Sequence, residues 1–261
     1  MSKTMVNQTT RSQNADAQWQ TLATTSGIVA LMQVACVLVT VVVSATVGVE
    51  PSSPMGYFEM FQENRLQALL RLDFPTMIQL ALWPITIMGI YALFRRSHAA
   101  YAALTGVLVL VGVTVALATH SGFSIIHISD QYALAATEAQ KVQLAASAEA
   151  VIATDMWHSS AGFLAGLFMQ GGLAFISLVG LRSGRLSKGT ALAGLVANGL
   201  DWLHVLVALL SPSLAAILLY VAGPAYLLWF PLLGRDLIKY GQQARMQETV
   251  ATGLLHQVQS T

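Results

Sequence analysis

Long apolar runs separated by short polar stretches dominate this chain. Read with a window of about 19 residues, six runs stand out, at roughly 25–49, 75–94, 99–122, 153–181, 189–211 and 213–233. Each approaches or exceeds the ~20 residues a helix needs to cross ~30 Å of hydrocarbon. The pattern predicts an all-α fold, a polytopic membrane bundle of six transmembrane helices. Beyond the third run, Ile125, Ile126 and the alanine-rich stretch after Tyr132 extend the helical pattern past the bilayer. Segments 50–74 and 128–152 are too polar to span. The spacing of Tyr57, Phe58, Phe61, Leu66, Leu69 and Leu70 instead suits an amphipathic helix on the membrane surface. Three regions follow: a polar N-terminal tail at 1–24, a transmembrane domain at 25–240 and a C-terminal tail at 241–261, both tails mobile or surface-lying. The 25-residue length of the first run favours a retained span over a cleavable leader, whose apolar region is only about 7–15 residues.

Composition sharpens this picture. The chain is 55% apolar and 10% charged, against about 25% charge in soluble domains. It has too little polar surface to wrap its apolar mass in water, so lipid must supply the missing solvent. A net charge of +1 offers no basic cluster for nucleic acid. The lone Cys36 excludes internal disulfides and cysteine-rich metal sites. With both termini placed in the cytoplasm, the inner segments hold Lys3, Arg11, Arg95, Arg96, Arg182, Arg185, Lys188, Arg235, Lys239 and Arg245, ten of the 13 basic residues. The outer segments keep Arg65, Arg71 and Lys141 against eight acidic residues. Positive residues in short loops resist translocation, so this asymmetry sets the orientation. No internal repeat, Gly-rich phosphate loop or dinucleotide fingerprint is present.

Several polar residues inside the apolar runs need a reason to be there. Asp201 lies twelve positions into the fifth run, where a charge costs about 2.5–3.5 kcal/mol even on lenient insertion scales. Asn198, Asp201 and His204 recur at i, i+3 and i+6, on one helix face directed into the bundle. Asp155-Met-Trp-His158 repeats the pattern of Asp201-Trp202-Leu-His204. In both, a carboxylate can orient or charge-stabilise an imidazole. Near the outer end of the third run, His120, Ser124 and His127 share a face. His120 or His127, His158 and His204 are therefore candidate metal ligands, since three protein ligands plus water make a zinc site. Two imidazoles across a bundle can alternatively grip a haem iron. A third use is proton-linked binding by Asp201, with Gln33, Gln79, Gln170 and Asn198 lining a path. Structural readings stand beside these: Asp73 and Asp155 as helix caps, His120 and His127 as interfacial residues, and Asp201 with His204 as a bridge between helices. Gly162, Gly166, Gly171 and Gly172 give the fourth run a small face for close helix approach. Pro84 and Pro224 interrupt the second and sixth runs.

Gly56-Tyr57-Phe58-Glu59 with Gln62, and Leu69-x-x-Leu72-Asp73-Phe74, resemble a bacterial family of six-helix membrane proteins whose domain has no assigned function. The resemblance implies the six-span fold and a bacterial cytoplasmic (inner) membrane, and no activity. His120, Ser124, His158, His204 and Asp201 are also similar to the histidine, serine and aspartate set of alkaline-ceramidase and adiponectin-receptor-like zinc hydrolases. This chain lacks their seventh span and the His-x-x-x-His of their last helix. The expected function is an outward-facing His/Asp pocket for a metal, small molecule or lipid, with Asp201 as catalytic or orienting acid and Ser124, Asp155, Asn198 and Trp202 lining it. Such a protein acts on, or among, membrane lipids. A proton-linked carrier and a non-catalytic membrane partner are the alternatives.

Overall fold

The computed structural model describes residues 2–48, 51, 53–72 and 74–259, with side chains described between 16 and 243. Among these, all regular structure is helical: α1 Ser2–Val47, α2 Pro54–Glu63, α3 Arg65–Arg71, α4 Phe74–Phe94, α5 Ala99–Ala118, α6 Gly122–Leu134, α7 Glu138–Ala153, α8 Ser160–Ser183, α9 Lys188–Ala208 and α10 Pro212–Gln259. Six stretches are long and apolar enough to cross a membrane: Asp16–Val47, Phe74–Phe94, Ala99–Leu134, Ser160–Ser183, Lys188–Ala208 and Pro212–Gln243. The six-span reading of the sequence holds. The cap expected of Asp73 lies outside the described residues.

The spans close into a ring in which each packs on its chain neighbour, α1 on α4, then α5, α8, α9 and α10, with α10 returning to α1. Short links set the α4–α5, α8–α9 and α9–α10 neighbours, because helices joined by a few residues must lie antiparallel side by side. The α8–α9 link shows the chemistry. Gly184 ends α8 at φ +67°, a left-handed conformation that favours glycine, and the Ser187 side chain caps α9 by accepting from Thr190 N–H. The Asp236 carboxylate of α10 then accepts from Ser187 N–H at 2.8 Å and from the Thr190 hydroxyl at 2.6 Å, fixing where α9 begins.

The ring is filled, not hollow. Trp83 stacks near Trp229 and Phe230 at 5.8 and 5.6 Å between centroids, with Leu80, Ile87, Leu173, Ile176 and Leu233 buried around them. Close approach replaces bulk at the α1–α10 seam: a Cβ built on Gly27 or on Gly234 would lie 2.7 Å from the other's carbonyl oxygen. Three of the four glycines expected to form the small face of α8 meet neighbouring helices, while Gly162 lies against Met156 of the preceding turn. Gly166 receives Val205 and Gly171 receives the Trp202 indole, both from α9, while Gly172 faces α5.

Three features differ from the sequence reading. First, the helix of the first span begins at Ser2, and near the start of that span Gln20 is buried and Asp16 is paired. Asp16 ion-pairs with Arg95 and Arg96, and Arg95 lies 4.9 Å above the Trp19 ring. The Asp16 carboxylate holds the Arg96 guanidinium above its ordinary range. Because these charges are partly exposed, Asp16→Ala should cost less than about 1 kcal/mol. Thermal unfolding in detergent should show that loss shrinking as salt rises. Second, the outer amphipathic segment forms two helices, α2 and α3, whose apolar side is covered largely by protein. Tyr57, Phe58, Phe61, Ala68 and Leu72 bury themselves with Ile125 of α6 and Ala148 of α7 in a small second core. Arg65 pins this cap by a bidentate contact to Asp130, at 2.9 and 3.0 Å. Third, the third span breaks between Ala118 and Gly122, and the fourth helix begins at Ser160, not at 153. Residues 154–159 form a turn in which Ser159 caps α8.

Candidate functional site

The polar residues of α8, α9 and α10 converge on one phenol. Tyr226 of α10 sits between the Asp201 Oδ2, Gln170 Oε1 and Asn198 Oδ1 atoms at 2.8, 3.0 and 3.3 Å. A phenol has one proton to give, and the shortest contact is to the carboxylate, where charge strengthens the bond. With that proton given to the carboxylate, a Gln170 amide turned nitrogen-inward can donate to the phenol oxygen, whereas Asn198 Oδ1 remains a close oxygen neighbour at 3.3 Å. Asn198 is anchored separately, its Nδ2 donating to Gly194 O at 2.8 Å one turn back on α9. Helix periodicity is what aligns Asn198, Asp201 and His204, and the open backbone at Gly194 admits the neighbouring Ser177 and Trp229 side chains beneath them.

His204 completes the cluster in an unusual way. Its Nδ1 lies 3.4 Å from Asp201 Oδ1, within ion-pair reach, yet this buried nitrogen makes no hydrogen bond. The two side chains are 14% and 18% exposed for Asp201 and His204 respectively. A buried polar atom left unsatisfied costs free energy and calls for an explanation. Asp201 lies thirteen residues past Lys188, about 20 Å along α9 at ~1.5 Å per residue, in the half of the bundle remote from the basic links.

The second Asp–His pair stands apart, in the turn before α8. Asp155 Oδ1 accepts from Trp157 N–H at 2.7 Å and His158 N–H at 3.1 Å, and meets His158 Nδ1 at 2.9 Å. Ser121 donates to Oδ2 at 3.3 Å. The carboxylate is buried and fully occupied, whereas His158 is 57% exposed. The Asp155 contact fixes a proton on Nδ1 and leaves Nε2 free. Ser121 binds the carboxylate and not the imidazole, so the three do not line up as a Ser–His–Asp relay. A cleft of about 10 Å³ opens beside this turn, lined in part by Tyr57, His120, Asp155 and Trp157. That volume suits one water and nothing larger.

The remaining expected site residues are dispersed. The break after Ala118 takes His120 off the face it was expected to share with Ser124 and His127, and its Nδ1 accepts instead from Gly122 N–H at 3.3 Å. Ser124 and His127 sit exposed on α6. Trp202 packs on Gly171, and Gln33 pairs with Thr86 and the Gln79 carbonyl on the α1–α4 seam, away from Gln170 and Asn198. No three His, Cys, Asp or Glu side chains among the described residues gather closely enough to hold a metal ion. The donor set therefore does not fit a zinc centre, and the best-formed clefts, of about 10 Å³ each, do not fit a haem. Sequence reasoning missed Tyr226. Its signal was a tyrosine deep in the last span, two residues past Pro224 and away from any interfacial belt.

Asp155→Asn should release His158, with its imidazole proton resonances moving toward those of an unconstrained histidine in nuclear magnetic resonance spectra. Unchanged spectra would show that the contact is not kept in solution.

Compared with known protein families, curated proteins and solved structures, the chain matches none. The resemblance read from the sequence is supported to the level of the six-helix apolar bundle, which carries two separate Asp–His pairs.

Proposed function

We propose that this chain is a proton-linked carrier of a bacterial inner membrane, in which Asp201 and His204 bind one proton as a unit in the outer half of the bundle. One observation carries the reading: the buried, unsatisfied His204 Nδ1 facing Asp201 Oδ1 at 3.4 Å, with the Tyr226 hydroxyl on the other carboxylate oxygen. An isolated carboxylate at membrane depth is costly, and a proton carried on Asp201 Oδ1 and donated to His204 Nδ1 removes its charge. A slight turn of the ring then makes the missing hydrogen bond. Orientation follows from charge. Arg95, Arg96, Arg182, Arg185, Lys188, Arg235 and Lys239 lie at or beside the ring end that carries the α4–α5 and α8–α9 links, which supports a cytoplasmic placement of that end and both termini.

Infrared difference spectra of the reconstituted protein between acid and alkaline pH test this. A protonated-carboxyl stretch should rise on acidification and disappear in Asp201→Asn. A wild-type spectrum with no such band, or one that persists in the variant, would remove the reading.

A second reading, an outward-facing ligand-binding or lipid-directed site, draws on the free Nε2 of His158 at the mouth of the cap. It predicts that His158→Ala abolishes a lipid- or metal-binding signal in the purified protein while His204→Ala leaves it intact. Elemental analysis showing only substoichiometric metal, together with unchanged lipid retention in His158→Ala, would dismiss it.

A further inference from the structure

The outer and inner parts of α10 are held very differently. From Trp229 to Gly241 the helix is locked, with Trp229, Phe230, Leu233, Gly234, Leu237 and Gly241 all buried. From Pro212 to Gly223 only Ala215 and Ala222 are buried, both small, while Leu214, Ile217, Tyr220 and Val221 face outward. The change falls at Gly223–Pro224. Pro224 has no N–H to give the Tyr220 carbonyl, so the helical ladder is interrupted there. Gly223 has nothing within 4 Å of where a Cβ would sit. Just below this weak point, Tyr226 ties α10 to Asp201.

We infer that Pro212–Gly223 is a gate over the Asp201–His204 site, hinged at Gly223–Pro224 and latched by the Tyr226–Asp201 hydrogen bond, which loosens when the pair takes up a proton. The inference rests on the proton-site reading above. A hydrogen bond to a charged carboxylate is roughly twice as strong as one to a neutral acceptor. Once Asp201 Oδ1 carries the proton and donates it to His204 Nδ1, the carboxyl is neutral and the phenol on its other oxygen loses that advantage. The few contacts of the outer segment then oppose opening only weakly. The titratable groups around the latch are few. Asp201 and His204 belong to α9, and Tyr226, with the outward-facing Tyr220, to α10. α8 offers the neutral Gln170, and its only charge is Arg182 at the far end. α1 carries only Cys36 between Ala17 and Val47, and the one titratable residue of α4 is Tyr91, near its opposite end. Among the described residues, Tyr101 of α5 and Lys188, Arg235, Asp236, Lys239 and Tyr240 of α9 and α10 lie toward the opposite, basic end of the ring.

The gate is tested by thiol access in the full chain, in lipid nanodiscs, on a Cys36→Ser background. Ala222→Cys places a thiol on the buried side of the outer segment, and Ser213→Cys places a reference thiol on its exposed tip. The ratio of their labelling rates with a membrane-impermeant maleimide cancels the pH dependence of the reagent. That ratio should rise about fivefold or more from alkaline to acid pH, the range expected of a real coupling. It should be high at both pH values in Asp201→Asn and low at both in Pro224→Ala. Should Ala222→Cys fail to fold, Ala215→Cys reports on the same buried stripe. A ratio flat with pH, while the infrared carboxyl band still titrates, overturns the gate and leaves the proton site standing. A ratio that still rises with acid in Asp201→Asn, with no carboxyl band, overturns both.

Discussion

Gly234→Val should lower the unfolding midpoint sharply, because the α1–α10 seam has no room for a side chain at this position. The added Cβ would meet the Gly27 carbonyl oxygen at 2.7 Å, and Leu31 at 3.0 and 3.1 Å. A flexible side chain can retreat from such a contact; a backbone carbonyl cannot move without its helix. Overpacking of this kind costs about 1–3 kcal/mol and sometimes more. The whole ring shares the cost, since this seam is the one that closes it. Gly199→Ala is the control, having nothing within 4 Å of its Cβ position, and it should leave the midpoint unchanged or slightly raised. Thermal melts of both variants in the same detergent decide the matter. Equal midpoints would mean that α1 and α10 do not meet as closely as described.

Tyr226→Phe should give the second large effect. It removes the single donor that serves the Asp201 carboxylate and disorders Gln170 and Asn198 around it. Hydrogen bonds across membrane helices are worth about 0.6–1.7 kcal/mol, and a charged acceptor places this one toward the upper end. The pairwise part is isolated by a double-mutant cycle with Asp201→Asn, in which the coupling should exceed about 0.5 kcal/mol. Additive losses would show that phenol and carboxylate are neighbours without being partners. The cycle also separates this bond from simple packing, because phenylalanine preserves the ring contacts to Trp229 and Phe230.

Much of the fold was legible because lipid imposes a coarse rule: runs of about 20 apolar residues become helices. The six spans, the small face of α8 and the inward direction of Asn198 and Asp201 follow from that rule and from helical periodicity. Boundaries were less legible. Val151, Ile152 and Ala153 extend the apolar pattern of the fourth run, yet they belong to α7, because Asp155 gathers the backbone of Trp157 and His158 into a turn. The break after Ala118 was hidden for a similar reason, since Thr119, His120 and Ser121 suit a helix as well as a link. The site was legible in part. Asp201 and His204 were visible as expensive polar residues. The expected gathering of histidines needed His120 to stay in register with Ser124 and His127, and the break removes that register. Tyr226 was hard to see because a tyrosine in an apolar run is ordinary until its partner on another helix is known.

The seam between α1 and α10 joins the two ends of the chain, and the centre of the ring needs rings from both halves, Trp83 early and Trp229 with Phe230 late. During synthesis the first five crossings must therefore wait in the bilayer with an aromatic-lined gap facing lipid. The ring of helices shuts once α10 packs against both α9 and α1. A chain lacking α10 would thus be short of one stave and leave the Asp201 carboxylate without its phenol.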